Sequence, residues 1–153
     1  MKAEVQWKGK LSFTGSADSG FKVPLDSYPE VGGDNDGFRP MELMALSLAG
    51  CTAMDVISIL SKKRQEISDF QVKVFTDRAE EHPKVFTHAV IEYHAAGKEI
   101  SEKAITRAVE LSADIYCPAQ AMLGKLIPLE MKYFIYEGDN LESAELVGEG
   151  KIR

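Results

Sequence analysis

The sequence has few cysteines, few histidines and more acidic than basic residues, and each shortage argues against a class of protein. Its 153 residues include two cysteines and three histidines. Neither cysteine belongs to a C-x-x-C pair or has other metal-ligand spacing, so we expect no metal site. Lysine and arginine number 18 against 24 acidic residues, a formal charge of −6. Nucleic-acid binders rely on clustered basic side chains, so we expect no nucleic-acid partner.

Motifs that identify common enzyme classes are also missing. The sequence contains no P-loop, no G-x-G-x-x-G and no G-x-S-x-G, which argues against nucleotide cofactors and nucleophile-elbow hydrolases. The first ten residues, MKAEVQWKGK, lack the apolar run of a secretory signal, so we expect a cytoplasmic location. Cytoplasmic cysteines rarely form structural disulfides. The two thiols therefore become candidates for redox chemistry or for simple core packing.

Composition and length predict one globular domain, and the order of its predicted strands and helices predicts an α+β fold. Hydrophobic residues make up 44% and charged residues 27% of the chain, as in ordinary folded proteins. We assign residues 1–137 to the domain and residues 138–153 to a peripheral acidic tail. Alternation predicts a hairpin over residues 3–13, an edge strand over 21–25 and a flexible glycine-rich loop over 28–38. These elements indicate a largely antiparallel sheet.

The most informative segment is Pro40–Leu60, PMELMALSLAGCTAMDVISIL. Proline suits the first position of a helix, and the segment has only five polar residues. A membrane span would bury Glu42 and Asp55, each costing roughly 2.5–3.5 kcal/mol, so we expect no membrane partner. The segment is instead predicted to be a buried central helix. A helix that is apolar on nearly every side needs more cover than one sheet supplies, which predicts a second subunit.

The remaining chain predicts two strands, two helices and a final strand. Phe70–Val74 and Phe86–Tyr93 alternate as an antiparallel hairpin. Apolar residues at 3–4 spacing predict a helix from an N-cap at Ser101 to about Tyr116. Pro118 starts a short helix through Lys125, which makes Cys117 its N-cap. Leu129–Tyr136 is the last predicted strand.

The two cysteines have different surroundings. Cys51 lies in the middle of the apolar helix, where Gly50 costs about 1 kcal/mol relative to alanine and suggests a close approach; a buried free cysteine that only packs is the alternative. A thiol at a helix N-terminus, such as Cys117, is expected to have a lowered pKa. Asp55 is interpreted as a capping or ion-pair residue, and the three histidines, His82, His88 and His94, as solvated.

Three short motifs carry a family resemblance: Pro40-Met41-Glu42-Leu43, Ala49-Gly50-Cys51-Thr52, and Cys117-Pro118 after an amphipathic helix. Together they closely resemble the OsmC/Ohr family of osmotically inducible and organic hydroperoxide resistance proteins. The resemblance covers roughly residues 1–137. It implies an intertwined homodimer whose long central helices are buried between sheets. It also implies a thiol peroxidase, with Cys51 as the peroxidatic and Cys117 as the resolving cysteine, and an external dithiol as reductant instead of a bound cofactor.

The sequence departs from the family pattern at the pair that activates the thiolate. In the family a glutamate directly follows the proline and pairs with an arginine from the segment before the glycine-rich loop. Here Met41 occupies the glutamate position, and that earlier segment offers Lys22. Arg39, Lys22 and Glu42 are therefore the candidates to support the thiolate. The OsmC-like branch fits best, and two hypotheses follow: a peroxidase acting on organic hydroperoxides, or a non-catalytic protein binding a small hydrophobic ligand at the dimer interface.

Overall fold

The computed structural model describes residues 1–152, and its chain divides into two compact units, Met1–Met44 and a second that begins at Ala45. The first unit holds a three-stranded antiparallel sheet in the order β1-β2-β3. Its strands are β1 (Ala3–Gly9), β2 (Ser12–Ala17) and β3 (Lys22–Leu25). The predicted hairpin and edge strand are confirmed, and Pro24 lies in the edge strand, where a missing N–H is tolerated.

The glycine-rich loop of the first unit is anchored by one buried carboxylate, although the sequence predicts a flexible loop. Asp26 is buried, and its Oδ2 accepts hydrogen bonds from the backbone N–H groups of Asp34 at 2.7 Å and Asp36 at 3.3 Å. Burial alone would raise the pKa of the Asp26 carboxyl, but these backbone donors outweigh it and lower the pKa to about 2. The loop also contains a short 3-10 helix, Pro29–Val31.

Helix α1 (Pro40–Lys62) begins in the first unit and continues into the second. The second unit adds a four-stranded sheet and two shorter helices. Its elements are β4 (Glu66–Arg78), β5 (Phe86–Lys98), α2 (Glu102–Leu111), a π-helical turn (Ser112–Tyr116), α3 (Pro118–Leu123), β6 (Leu129–Glu137) and β7 (Glu145–Lys151). The sheet order is β4-β5-β6-β7, with β5 and β6 parallel and the other pairs antiparallel. The predicted α+β class with a largely antiparallel sheet is confirmed.

Strand β7 lies within the acidic segment that the sequence places at the periphery. Glu145–Lys151 pairs antiparallel with β6 and forms an edge of the sheet. Its sequence, ELVGEGK, has two glycines and little apolar alternation, so no local signal predicts a strand there. The pairing with β6 supplies the order that the local sequence does not.

One stripe of α1 packs into the core of the second unit. The buried residues of α1 are Leu48, Thr52, Val56 and Leu60, four apart and so on one face of the helix. The apolar members of this stripe join a cluster from α2 and the sheet that includes Ile91, Tyr93, Ala95, Ile105, Val109, Met131 and Ile135. Within this chain α1 is thus buried along one stripe, and the cover that the sequence predicts for its other sides stays a prediction about a second subunit.

The other faces of α1 carry exposed apolar side chains. Leu46, Met54 and Ile57 are exposed, Met54 to 73%. By length and composition α1 would pass as a membrane span, since its most apolar window has a mean hydropathy of 1.9. Core helices of soluble proteins meet the same criteria, so this match is weak support for a span.

Candidate redox site

The two cysteines meet in the second unit, although they lie 66 positions apart in the sequence. Cys51 lies in the middle of α1 and is partly exposed, whereas Cys117 is 2% exposed at the start of α3. Both are free thiols, and the Cys117 S–H donates a hydrogen bond to Cys51 Sγ with the sulfur atoms 3.0 Å apart. The sulfur atoms of a disulfide are about 2.05 Å apart, so these two thiols lie within about 1 Å of bonding distance.

Local geometry explains why the Cys117 sulfur points inward. The π-helical turn ends where the backbone N–H of Cys117 donates to the Ser112 carbonyl at 2.8 Å. Pro118 then opens α3, and the backbone N–H of Gln120 donates to Cys117 Sγ at 3.4 Å. Cys117 is therefore the N-cap of α3, which agrees with the prediction from the sequence. Single π-helical turns inside helices are frequent at functional sites.

The expected direction of the Cys117 pKa shift is wrong. The N-terminal position predicts a lowered pKa, but burial raises the pKa of the Cys117 thiol from 9.0 to about 11. The hydrogen bond to Cys51 adds to this rise, because it is made by the protonated form, and the backbone N–H of Gln120 acts the other way without reversing it. Cys117 is thus a neutral S–H donor near pH 7.

A buried polar network lies beside the dithiol. Thr52 Oγ1 contacts the Tyr93 hydroxyl at 2.8 Å, Ser112 Oγ at 2.9 Å and Gln120 Nε2 at 2.8 Å. Gln120 Nε2 also donates to the Tyr93 hydroxyl at 3.2 Å, and Ser112 Oγ donates to Asp55 Oδ2 at 3.0 Å. Burial raises the pKa of Tyr93 to about 12, so its phenol stays neutral.

Ser112, Tyr93 and Gln120 belong to the site although no sequence motif marks them. Thr52, a polar residue that interrupts an apolar helix directly after Cys51, is the one sequence signal for the network. The sequence predicts a cap or an ion-pair role for Asp55; it instead accepts a hydrogen bond from Ser112. Its carboxylate therefore belongs to the network beside the thiols.

The three residues proposed to support the thiolate lie in the first unit, and two of them form a local pair. Glu42 Oε2 accepts from the Arg39 backbone N–H at 2.9 Å and lies 3.9 Å from Arg39 Nη1. The Arg39 guanidinium also stacks over the Tyr28 ring at 4.1 Å and donates to Asn35 Oδ1. Lys22 is exposed on β3. Arg39 is thus held by neighbours of its own unit.

Within this chain nothing approaches Gly50, since a Cβ atom built there would meet nothing within 4 Å; a close approach by a ligand or a second subunit stays a prediction. The prediction that His94 is solvated is wrong: it is buried, contacts the Tyr136 hydroxyl at 3.1 Å and stacks on Phe134 at 4.6 Å. Burial lowers the pKa of His94. His88 keeps a partly exposed side chain, 3.6 Å from Asp77.

Fold and site together define a class of protein: an α+β chain with a helix-borne cysteine in hydrogen-bond contact with a second cysteine. A family model described as OsmC-like protein matches residues 33–132. The chain therefore belongs to the OsmC-like family, which confirms the resemblance inferred from the two cysteine motifs. Within residues 1–152, no three His, Cys, Asp or Glu side chains are grouped to hold a metal ion.

Individual relatives support this assignment. The chain is 37% identical over 136 residues to Protein YhfA of Escherichia coli strain K12, covering 87% of this chain and 96% of that protein. A hypothetical protein from Aquifex aeolicus VF5 shares the fold at 30% identity and a TM-score of 0.78, covering 90% and 96% of the two chains. An organic hydroperoxide resistance protein OsmC from Legionella pneumophila, at 16% identity, has a TM-score of 0.63 over 88% of this chain and 94% of that one.

Proposed function

We propose that the protein is a cysteine-based peroxidase that reduces organic hydroperoxides and uses an external dithiol as its reductant. The observation that carries the proposal is the 3.0 Å contact between the sulfur atoms of Cys51 and Cys117, both free thiols. A two-cysteine peroxidase needs one thiol that substrate can reach and a second thiol within bonding reach of the first. Cys51 is the partly exposed member and Cys117 the buried one.

Each sulfur acts once as a nucleophile. The Cys51 thiolate attacks the distal oxygen of the hydroperoxide, and the O–O bond breaks. The alkoxide takes a proton from solvent, equivalent to the one that the Cys51 thiol released on ionising, and leaves as the alcohol; Cys51 becomes a sulfenic acid. The Cys117 sulfur then attacks the Cys51 sulfur, and the hydroxyl group leaves with the Cys117 proton as water. The resulting disulfide is reduced by an external dithiol, which becomes a disulfide itself.

The hydrogen-bond direction supports these roles. The Cys117 S–H points at the Cys51 sulfur, so a positive hydrogen faces the atom that must carry negative charge before it attacks. Because the Cys117 pKa is about 11, this donor stays protonated across the neutral range. The same proton is then available to the hydroxyl group that leaves in the second step.

Steady-state turnover with cumene or t-butyl hydroperoxide tests the proposal, with dithiothreitol or a lipoylated dithiol as reductant. We expect hydroperoxide-dependent oxidation of the dithiol in the wild-type protein and none in Cys51→Ser. Cys117→Ser should stop at a sulfenic acid that dimedone traps. One equivalent of hydroperoxide should consume both thiols of the wild-type protein and link Cys51 to Cys117 within one chain. Equal rates for wild type and Cys51→Ser would reject the peroxidase.

A binding protein for small hydrophobic ligands is the second candidate. Ile115, Tyr116 and Met122, which flank Cys117 in the sequence, are all exposed, and an apolar surface of this kind suits a hydrophobic ligand. Absence of turnover together with saturable binding of an apolar probe that survives Cys51→Ser would favour this function over the peroxidase.

A homodimer accompanies either function. Helix α1 is buried by its own chain along one stripe only. Its other faces expose apolar side chains, including Leu46, Met54 and Ile57. Burying them against a second copy would form an apolar interface of the kind found in obligate dimers, for which roughly 2,000 Å² is the lower bound. Cytoplasmic location is part of the same proposal and is tested by cell fractionation.

A further inference from the structure

Gln120 is tied to both cysteine-bearing segments of the second unit. Its backbone N–H donates to Cys117 Sγ at 3.4 Å. Its side-chain Nε2 donates at 2.8 Å to Oγ1 of Thr52, the residue that directly follows Cys51. Gln120 is only 3% exposed. One buried residue therefore connects the turn that carries Cys117 with the helix that carries Cys51.

The hydrogen-bond directions in the network require an amide donor at this position. Ser112 gives its hydroxyl hydrogen to Asp55, and a hydroxyl has only one. The contact between Thr52 and Ser112 must then use the Thr52 hydrogen, and the contact between Tyr93 and Thr52 the Tyr93 hydrogen. Both oxygens next to Gln120 are left as acceptors, and the two hydrogens of its Nε2 match them.

This arrangement holds the amide in one orientation. Turning the amide over would place Oε1 against the Thr52 and Tyr93 oxygens, which have no hydrogen left to give. Oε1 is buried and has no hydrogen-bond partner within residues 1–152. A buried acceptor without a partner is unfavourable, so the two Nε2 contacts fix the amide orientation even though Oε1 is left without a donor.

We propose that Gln120 is a positioning residue: it holds the Cys117 sulfur against Cys51 and thereby sets how readily the two thiols form a disulfide. The role of Gln120 in the resolving step rests on the proposed peroxidase function. Its effect on how readily the two thiols form a disulfide does not. Restricting a thiol before it reacts raises its effective concentration toward its partner. Replacing the Gln120 side chain leaves its backbone contact with Cys117 Sγ but breaks the contact with Thr52, which frees the turn at Cys117 and lowers that concentration.

Equilibration with glutathione tests the proposal without any hydroperoxide. One thiolate of the protein attacks glutathione disulfide and releases one glutathione; the second thiol then displaces the other glutathione and closes the protein disulfide. We expect Gln120→Leu to lower the equilibrium constant for this disulfide at least tenfold, about 30 mV in reduction potential. Gln71→Leu, at an exposed position of β4, should change it less than twofold.

Thr52→Val supplies an independent variant, because it removes the hydroxyl that anchors the Gln120 amide and keeps the side-chain shape. We expect Thr52→Val to lower the equilibrium constant for the disulfide about as much as Gln120→Leu does. The double variant should lower it little further, since both substitutions break the same connection. Should Gln120→Leu fail to fold, Gln120→Met, which keeps the length of the side chain, is used in its place. Unchanged equilibrium constants in folded Gln120 and Thr52 variants would overturn the proposal.

A single-turnover experiment with t-butyl hydroperoxide separates positioning from general damage to the fold. We expect Gln120→Leu to form the Cys51 sulfenic acid at the wild-type rate and the disulfide at least tenfold more slowly, so that dimedone traps more of the intermediate. A purely structural role would slow both steps together. If the glutathione result holds but wild-type protein does not react with hydroperoxide, the peroxidase is rejected and the role of Gln120 in the dithiol stands.

Discussion

Burial of the Cys117 thiol predicts that the reduced protein loses stability at alkaline pH in a way that Cys117→Ala does not. The pKa of Cys117 is raised from 9.0 to about 11 in the folded protein. The unfolded chain therefore releases this proton first as pH rises, and stability falls wherever the unfolded state binds fewer protons. The stabilisation is complete below pH 9.0 and is lost as pH rises through about 11.

The magnitude follows from the two pKa values. A full separation of two pKa units corresponds to about 2.7 kcal/mol, at 1.36 kcal/mol per unit. At pH 10, midway between the two values, about half of it is lost, whereas at pH 8 the loss is only about 0.1 kcal/mol. Between pH 8 and pH 10 the wild-type protein should thus lose about 1.3 kcal/mol more than Cys117→Ala.

Urea unfolding at several pH values, with a phosphine reductant present, measures this difference. Wild type and variant share every other titratable group, so the ionisation of lysines and exposed tyrosines cancels in the comparison. The m-values should agree at each pH, which shows that both proteins expose the same surface on unfolding. Parallel stability curves for the two proteins from pH 8 to pH 10 would refute the reasoning from burial.

Three further predictions concern α1. Leu48→Ala, at a fully buried position, should cost about 2–5 kcal/mol in urea unfolding, and a loss below 1 kcal/mol would contradict the packing of this stripe. Gly50→Ala, where a Cβ meets no atom of this chain within 4 Å, should stabilise the protein by about 1 kcal/mol in urea unfolding, and a loss of stability would contradict open space at this position. Light scattering should give twice 16.9 kDa for the native protein, and Met54→Glu should shift it to the monomer mass; a wild-type monomer at micromolar concentration would contradict the dimer.

Local signals were enough to predict most elements of the fold. Pro40 at the first helical position, the alternation in β4 and β5 and the Cys117-Pro118 junction each act over a few residues. They predict the same local structure wherever the segment packs. The N-cap role of Cys117 was found in this way. Ser101 occupies the predicted N-cap of α2, but its side chain makes no capping hydrogen bond, because sequence gives the position of a cap and not its geometry.

The features that the sequence does not predict depend on contacts between residues that are distant in the sequence. Strand β7 forms because β6 offers an open edge, and β5 and β6 run parallel because two helices intervene between them. The sequence predicts a solvated His94, like the other two histidines. Its stacking on Phe134 depends on the register between β5 and β6. No pattern within either strand carries this information.

The sequence by itself determined the family, the two cysteines and the local structure around each of them, because motifs and helix or strand signals are read from neighbouring residues. Only the tertiary structure decided that the Cys51 and Cys117 sulfur atoms lie 3.0 Å apart and that Gln120 joins their segments. It also decided the sign of the Cys117 pKa shift. Proximity to a helix N-terminus is local, but removal from water depends on everything that packs around the sulfur, and here that burial has the larger effect.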